Sequence, residues 1–406
     1  MSDPLDAAIG PTWAEIDLDA LTSNVALVRS LLPSGCRLLA VVKANAYGHG
    51  AVESARALVS GGAWGLGVST VAEGLQLRAA GLNAPILVFT PPRPADLGPA
   101  VDAGLALTVV DLEGAQALAA SIGPVVAHVK LDTGMGRYGI GWEQLGQLAP
   151  VLAELSGRIG WEGVYTHCAR GADPRAVRRQ LDRLLRAVTA AAEAGLELPL
   201  RHAAASAAVL TVPEAHLEMV RVGSLLYGHL PAGIRTDLPF RRAFALHSTV
   251  TQVHVVRAGS QVGYGGEWTA RADTRVATVP VGFADGLDML PAGPFRRPAV
   301  LVRALGRALA RRFHLERVLR LGRAAGDVVV GGVPLPILGR VGMQQVTVDC
   351  SRKPDVRPGM RAEVGVPSTA AGAHLARVYL RHGRAVVADT LLGRIEPPAR
   401  ESVSQE

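Results

Sequence analysis

A chain of 406 residues is long enough for two or three domains, each with a sizeable core. With 49% hydrophobic and 19% charged residues it is not a disordered protein, and no run approaches the roughly 18 apolar residues of a membrane-spanning helix. Cys36, Cys168 and Cys350 form no C-x-x-C pair, and the start, with Asp3 and Asp6, reads as no signal peptide, so reduced thiols and a cytoplasmic location are expected.

In chain order, short apolar runs alternate with helix-period stretches. The strand candidates are 38–44, 64–69, 85–90, 106–110, 125–132, 160–167, 198–203 and 219–227. Between them, stretches such as 18–32, 71–80, 111–120, 142–155 and 174–194 open at cap or proline signals and read as helices. Eight β/α units in this length predict a closed parallel barrel, with its site at the C-terminal ends of the strands. Lys43, Lys130, Asp132, His167, His202 and Arg221 fall there. Past residue 240 the pattern turns to separated strands at 247–256, 274–281, 328–330, 345–349 and 361–366. The expected fold class is therefore α/β: a (β/α)8 TIM-type barrel over 12–240, then a mostly β domain over 241–406 that also takes in segment 1–11.

The net charge of +7 is local. Nine arginines against Glu316 and Asp327 between Phe295 and Asp327 account for all of it. Leu301, Leu305, Leu309 and Phe313 recur four apart, with Arg303, Arg307 and Arg311 on another face, which predicts a basic amphipathic helix packed on the body of the protein. No nucleic-acid or membrane partner is expected, and no metal-binding spacing such as H-E-x-x-H occurs.

Lysine is scarce. Only Lys43, Lys130 and Lys353 stand among 42 basic residues, so each retained amine invites the question of what it does that a guanidinium cannot. In L-L-A-V-V-K-A-N-A-Y-G-H-G, Lys43 ends an apolar run, followed by Tyr47 and a glycine-containing turn. An amine placed there is poised for imine formation, and Tyr47 beside a helix start is a candidate phosphate contact. In V-K-L-D-T-G-M-G-R-Y-G, Lys130 and Asp132 alternate ahead of Arg137, which fits either a carboxylate clamp or a structural ion-pair network. In V-R-V-G-S-L-L-Y-G, Arg221 precedes a backbone nest at Gly223 and Ser224, where barrels commonly hold phosphate.

These motifs, together with Y-T-H-C-A-R-G-A-D, V-G-Y-G-G-E-W-T, V-G-F-A-D-G and G-R-V-G-M-Q-Q, closely resemble those of the alanine racemase family, barrel-type enzymes that use pyridoxal 5′-phosphate. The resemblance implies that Lys43 holds the cofactor and acts as one acid/base, with Tyr264 of the partner subunit as the other in a head-to-tail homodimer with shared active sites. It further implies that Arg137 and the main chain at Met343 bind the substrate, and that Lys130 is a candidate for carbamylation. Arg221, backed by His167, would meet the pyridine nitrogen. Tyr47, Ser206, Gly223, Ser224 and Tyr227 would complete the cofactor contacts. The implied reaction is L-alanine to D-alanine by two-base proton transfer, a step in cell wall biosynthesis.

The chain departs from the family at Ala205, where asparagine is usual, at Phe283 for tyrosine and at Gln344 for aspartate, and the stretch 384–394 lacks a tyrosine. Racemisation of another amino acid in specialised metabolism, and a non-catalytic pyridoxal-phosphate carrier or regulator of the same fold, are the alternatives these changes leave open.

Overall fold

In the computed structural model, residues 8–121, 123–287 and 328–396 are described. The basic segment 295–327 lies outside them. The chain divides into two compact units.

The first unit is Asp17–Ala243 together with Arg381–Gly383. It is preceded by β1 (Thr12–Asp17) and begins with α1 (Leu18–Ser30). Then follow β2 (Arg37–Val41), α2 (Ala51–Ser60), β3 (Gly65–Val68), α3 (Val71–Ala79), β4 (Ile86–Val88), α4 (Leu97–Asp102), β5 (Leu107–Val109) and α5 (Leu112–Ala119). The run continues through β6 (Val125–Asp132), the two-residue β7 (Ile140–Gly141), α6 (Leu145–Glu154), β8 (Ile159–Tyr165), α7 (Pro174–Glu193), β9 (Leu200–His202), α8 (Ser206–Thr211) and β10 (Met219–Val222). All eight expected strands are present, seven of them shorter than their apolar runs and β6 of the same extent.

Two parallel sheets, β10-β2-β3-β4 and β5-β6-β8-β9, are joined at both edges. Leu87 bridges to Ala106 on one side and Ala205 to Arg221 on the other, which closes an eight-stranded ring. Strands such as β3 and β4 are buried along their whole length, as expected where helices cover one face and barrel-filling side chains the other. The helices begin where short polar side chains satisfy their free amides. Asp17 caps α1, Thr70 and Glu73 form a capping box on α3, and Asp173 precedes Pro174 on α7.

The second unit holds β11 (Phe244–Thr249), β12 (Gln252–Val256), β13 (Gln261–Val262), β14 (Trp268–Thr269), β15 (Thr274–Val279) and β16 (Val328–Val330). It continues with β17 (Val333–Leu335), β18 (Ile337–Leu338), β19 (Val346–Asp349), β20 (Arg361–Val364), β21 (Ala376–Arg381), β22 (Arg384–Thr390) and β23 (Gly393–Ile395). Its main sheet runs β17-β16-β20-β11-β1-β21-β22-β23, beside a four-stranded sheet β12-β15-β19-β18. Here the expected boundary at residue 12 moves. Thr12–Asp17 alternates buried and half-buried residues and pairs antiparallel with β11, so that Trp13 faces His247, and the barrel unit starts at Asp17. Two-residue alternation identifies a strand without saying which sheet receives it. Among the described residues no helix is long and apolar enough to cross a membrane.

Candidate active site

Lys43 stands just past β2, two residues beyond Val41, and opens a turn of unusual hand. Ala44, Asn45, Ala46 and Tyr47 have φ between 52° and 55°, a left-handed turn built without glycine. Such a conformation costs about 1–2 kcal/mol per residue, so it must be held by its surroundings. The amide of Ala44 donates to Glu73 Oε1 at 2.7 Å, the amide of Ala51 to Asn45 Oδ1 at 2.7 Å, and the amide of Gly48 to the carbonyl of Ala44 at 3.1 Å. Burial, reinforced by the Arg137 cation, holds the Lys43 amine below the ordinary lysine range. Loss of its proton, which a nucleophilic amine needs, is thereby eased.

Tyr47 projects to the opposite edge of β2, toward β10. A Cβ on Gly223 would stand 2.4 Å from the Tyr47 hydroxyl, so only glycine fits there. The Gly223 amide lies 3.3 Å from Ser206 Oγ. A phenol, an alcohol and the backbone turn of Gly223 and Ser224 therefore converge on one spot. This donor set, with no carboxylate among it, fits a phosphate, and with the Lys43 amine in the same barrel it fits pyridoxal phosphate as a whole. Tyr227 is placed differently from the expectation. It is fully buried, its hydroxyl donates to the carbonyl of Val41 at 2.9 Å, and its ring centroid lies 5.1 Å from that of Tyr47. Its hydroxyl is spent on the backbone, so it backs Tyr47.

Lys130, on β6, is buried, and its amine donates to the carbonyl of Leu131 at 2.7 Å. Burial, then the Arg221 cation, brings it down to about 8. Asp132 forms no ion pair with it. Its carboxylate accepts the amides of Gly134, Met135 and Gly136 and so shapes the turn that delivers Arg137, whose exposed guanidinium lies 5.0 Å from the centre of the Tyr138 ring.

Arg221, on β10, is buried. Its Nη1 donates to the carbonyl of His202 at 2.8 Å and to His202 Nδ1 at 3.1 Å, and its Nη2 to the carbonyl of Thr166 at 2.6 Å. The imidazole bonded to it is thus His202, where His167 was expected. Burial, followed by the cations of Arg221, Arg137, Lys130 and Lys43, pushes His167 down to about 3, so that ring is neutral. Arg221 itself is lowered by burial to about 10 and stays protonated at neutral pH.

In the second unit, three of the quoted motifs meet. The amides of Phe283 and Ala284 donate to the carbonyls of Gly342 and Met343 at 3.0 and 2.9 Å. Arg340 pairs with Glu267, tying the Met343 loop to the loop that carries Tyr264. Tyr264, Phe283 and Met343 are 74%, 48% and 61% exposed, an unusual outlay of apolar surface on one set of loops. Tyr379, in the C-terminal strands, is buried with its hydroxyl on Asp389 Oδ2 at 2.8 Å.

Residues 16–231 match the model for the N-terminal domain of alanine racemase and residues 243–306 that for its C-terminal domain. The alanine racemase of Geobacillus stearothermophilus is 36% identical over 400 residues, covering 96% of this chain and 98% of that protein. The chain belongs to the alanine racemase family. Another member, from Desulfosudis oleivorans, is 38% identical over 364 residues, covering 86% of this chain and 85% of its own. The solved alanine racemase of Clostridium difficile superimposes with a TM-score of 0.81 at 28% identity, covering 94% of this chain and 98% of that one. Both parts of the family fold, the parallel barrel and the mostly β second domain, are thus present. Sequence reasoning missed three polar members of this barrel: Glu73, which holds the Lys43 turn, His128, which meets His202, and Glu162, which meets His128. The capping signal T-V-A-E at 70–73 could have pointed to the first. Nothing local marks the others.

Proposed function

We propose that this isomerase interconverts L- and D-alanine with pyridoxal phosphate, using Lys43 and Tyr264 as its two acid/bases. The observation that carries this reading is the Lys43 amine, below its ordinary proton affinity, in one barrel with the Tyr47, Ser206 and Gly223 cradle. When bound, the cofactor supplies an electron sink that acidifies the α-proton of an amino acid. Tyr47, Ser206 and the backbone at Gly223 and Ser224 hold its phosphate. Arg221, a cation that gives up its proton reluctantly, faces the ring nitrogen and disfavours side reactions that need that nitrogen protonated. Arg137 orients the substrate carboxylate, with the main chain at Met343 of the partner subunit.

Inversion needs a base on one face of the α-carbon and an acid on the other. Lys43 moves the proton on one face at its Nζ. Tyr264 of the partner subunit moves it on the other at its hydroxyl, in a homodimer whose active sites are shared. The exposure of Tyr264, Phe283 and Met343 on one set of interlocked loops supports that arrangement, since a partner barrel would cover them.

A second reading, racemisation of a different amino acid, is favoured by Phe283 and Gln344, which bring a phenyl ring and a neutral amide to those exposed loops. The test is incubation with pyridoxal phosphate and each L-amino acid in deuterated water, followed by NMR and chiral chromatography. Exchange with inversion at alanine supports the first reading, and inversion at another amino acid alone supports the second. Cofactor uptake at Lys43 without exchange of any amino acid sinks both in favour of a carrier or regulator.

A further inference from the structure

The barrel interior contains a polar chain that the proposed chemistry does not use. His202 Nε2 lies 3.0 Å from His128 Nδ1, and His128 Nε2 lies 2.8 Å from Glu162 Oε2. With the Arg221–His202 contact, four hydrogen-bonded groups span four neighbouring strands, one each on β10, β9, β6 and β8. His202 and His128 are 0% and 1% exposed, whereas 32% of the Glu162 side chain reaches solvent. Barrel interiors are ordinarily filled by branched aliphatic side chains, and buried imidazoles are costly unless fully paired.

Arginine can only donate, which fixes the direction of every proton in the chain. His202 accepts from Arg221 at Nδ1, so its hydrogen is on Nε2, which donates to Nδ1 of His128. The hydrogen of His128 is then on Nε2, and it donates to the carboxylate. Burial, with the Arg221 cation beside it, keeps His202 neutral, and the His128 hydrogen bond holds Glu162 below the usual carboxylate range. The local backbone is built to admit this chain. A Cβ on Gly163 would come within 2.8 Å of His128 Nδ1 and 2.3 Å of the carbonyl of Leu200, so glycine next to Glu162 makes room for the ring. Tyr165 stacks on His202 with centroids 4.8 Å apart and holds it from the other side.

We propose that His128 and Glu162 are positioning residues for the racemisation, tying the Arg221 guanidinium through two imidazoles to a solvent-facing carboxylate and so holding its orientation toward the cofactor ring. The inference rests on the pyridoxal-phosphate reading above. Glu162→Gln keeps an acceptor for His128 but removes the charge. Glu162→Leu removes both, and frees His128 to change tautomer and set two donors against each other at His202.

The experiment titrates pyridoxal phosphate into the cofactor-free wild type and both variants. It records affinity, the visible absorption of the bound cofactor against pH, and the melting temperature. The expected order of weakening is wild type, then Gln at a few-fold, then Leu at about tenfold, in the range of losses when an outer-shell partner is removed. The absorption profile should shift in the same order, with melting temperatures within about 3 °C of one another. Variants that bind and absorb like wild type, whether or not they melt earlier, overturn the proposal. A wild type that takes up no cofactor overturns the underlying reading instead, and this inference with it.

Discussion

Tyr47 and Gly223 crowd one space: the hydroxyl of the first lies 2.4 Å from where a Cβ on the second would stand. The missing side chain at Gly223 lets the phenol lie against the backbone turn at the end of β10 and makes both residues parts of one anion cradle. Gly223→Ala should push Tyr47 aside and weaken pyridoxal-phosphate binding by tenfold or more, roughly 1.4 kcal/mol for each factor of ten. Absorbance titration of the cofactor-free protein measures it. An alanine variant that binds as tightly as wild type would remove Gly223 from the cradle.

Lys130 is a candidate for reaction with carbon dioxide. With its amine brought down to about 8, about a tenth of it is neutral at pH 7. A neutral amine adds to carbon dioxide, forming an N–C bond and releasing a proton, and the product anion would gain from the Arg221 and Arg137 cations that lower the lysine. Protein equilibrated with 13C-bicarbonate should give a carbamate resonance that grows as pH rises through 8 and is missing from Lys130→Met. No resonance in wild type would refute the modification.

His167 and His202 are both kept neutral, chiefly by burial, with Arg221 the foremost charge against each. Their folded values lie below the unfolded value of about 6.5, so the unfolded chain binds more protons below that pH. The stability they contribute is present above pH 6.5 and is lost as pH falls toward their folded values. For His167 that window runs from about 6.5 to about 3. Each contributes at most about 1.4 kcal/mol per pH unit within its window. Denaturant unfolding of wild type and His167→Gln between pH 7 and 5 should show a shallower decline in the variant. Parallel declines would mean that His167 titrates alike in both states.

The turn after Lys43 trades stability for position. Ala44 is exposed at φ 52°, a conformation that glycine adopts without penalty. Ala44→Gly should leave stability unchanged or raise it by up to about 1 kcal/mol, because the relief of strain offsets the greater freedom of the unfolded chain. It should also lower kcat several-fold by loosening the amine. Thermal melts and racemisation rates on one preparation test both halves, and a variant that loses stability together with rate would contradict the trade.

What the sequence determined by itself is local in character. Eight apolar runs separated by capped helices specify the strands and their parallel sense, since each right-handed β/α unit is encoded over a few tens of residues. Three lysines against 39 arginines single out Lys43 and Lys130, because an amine's chemistry belongs to the residue type. The tertiary structure decided whatever depends on partners distant in the chain. Thr12–Asp17 has the same alternation in any sheet, and only pairing with Phe244–Thr249 assigns it to the second unit. Ala44–Tyr47 would read as an ordinary right-handed turn, yet the Glu73 carboxylate, 29 residues on, and the Asn45 side chain hold it left-handed. His128 and Glu162 carry no local signal. Their roles arise when closing the barrel brings β6, β8, β9 and β10 side by side and a buried imidazole must find its hydrogen-bond partner across a strand boundary.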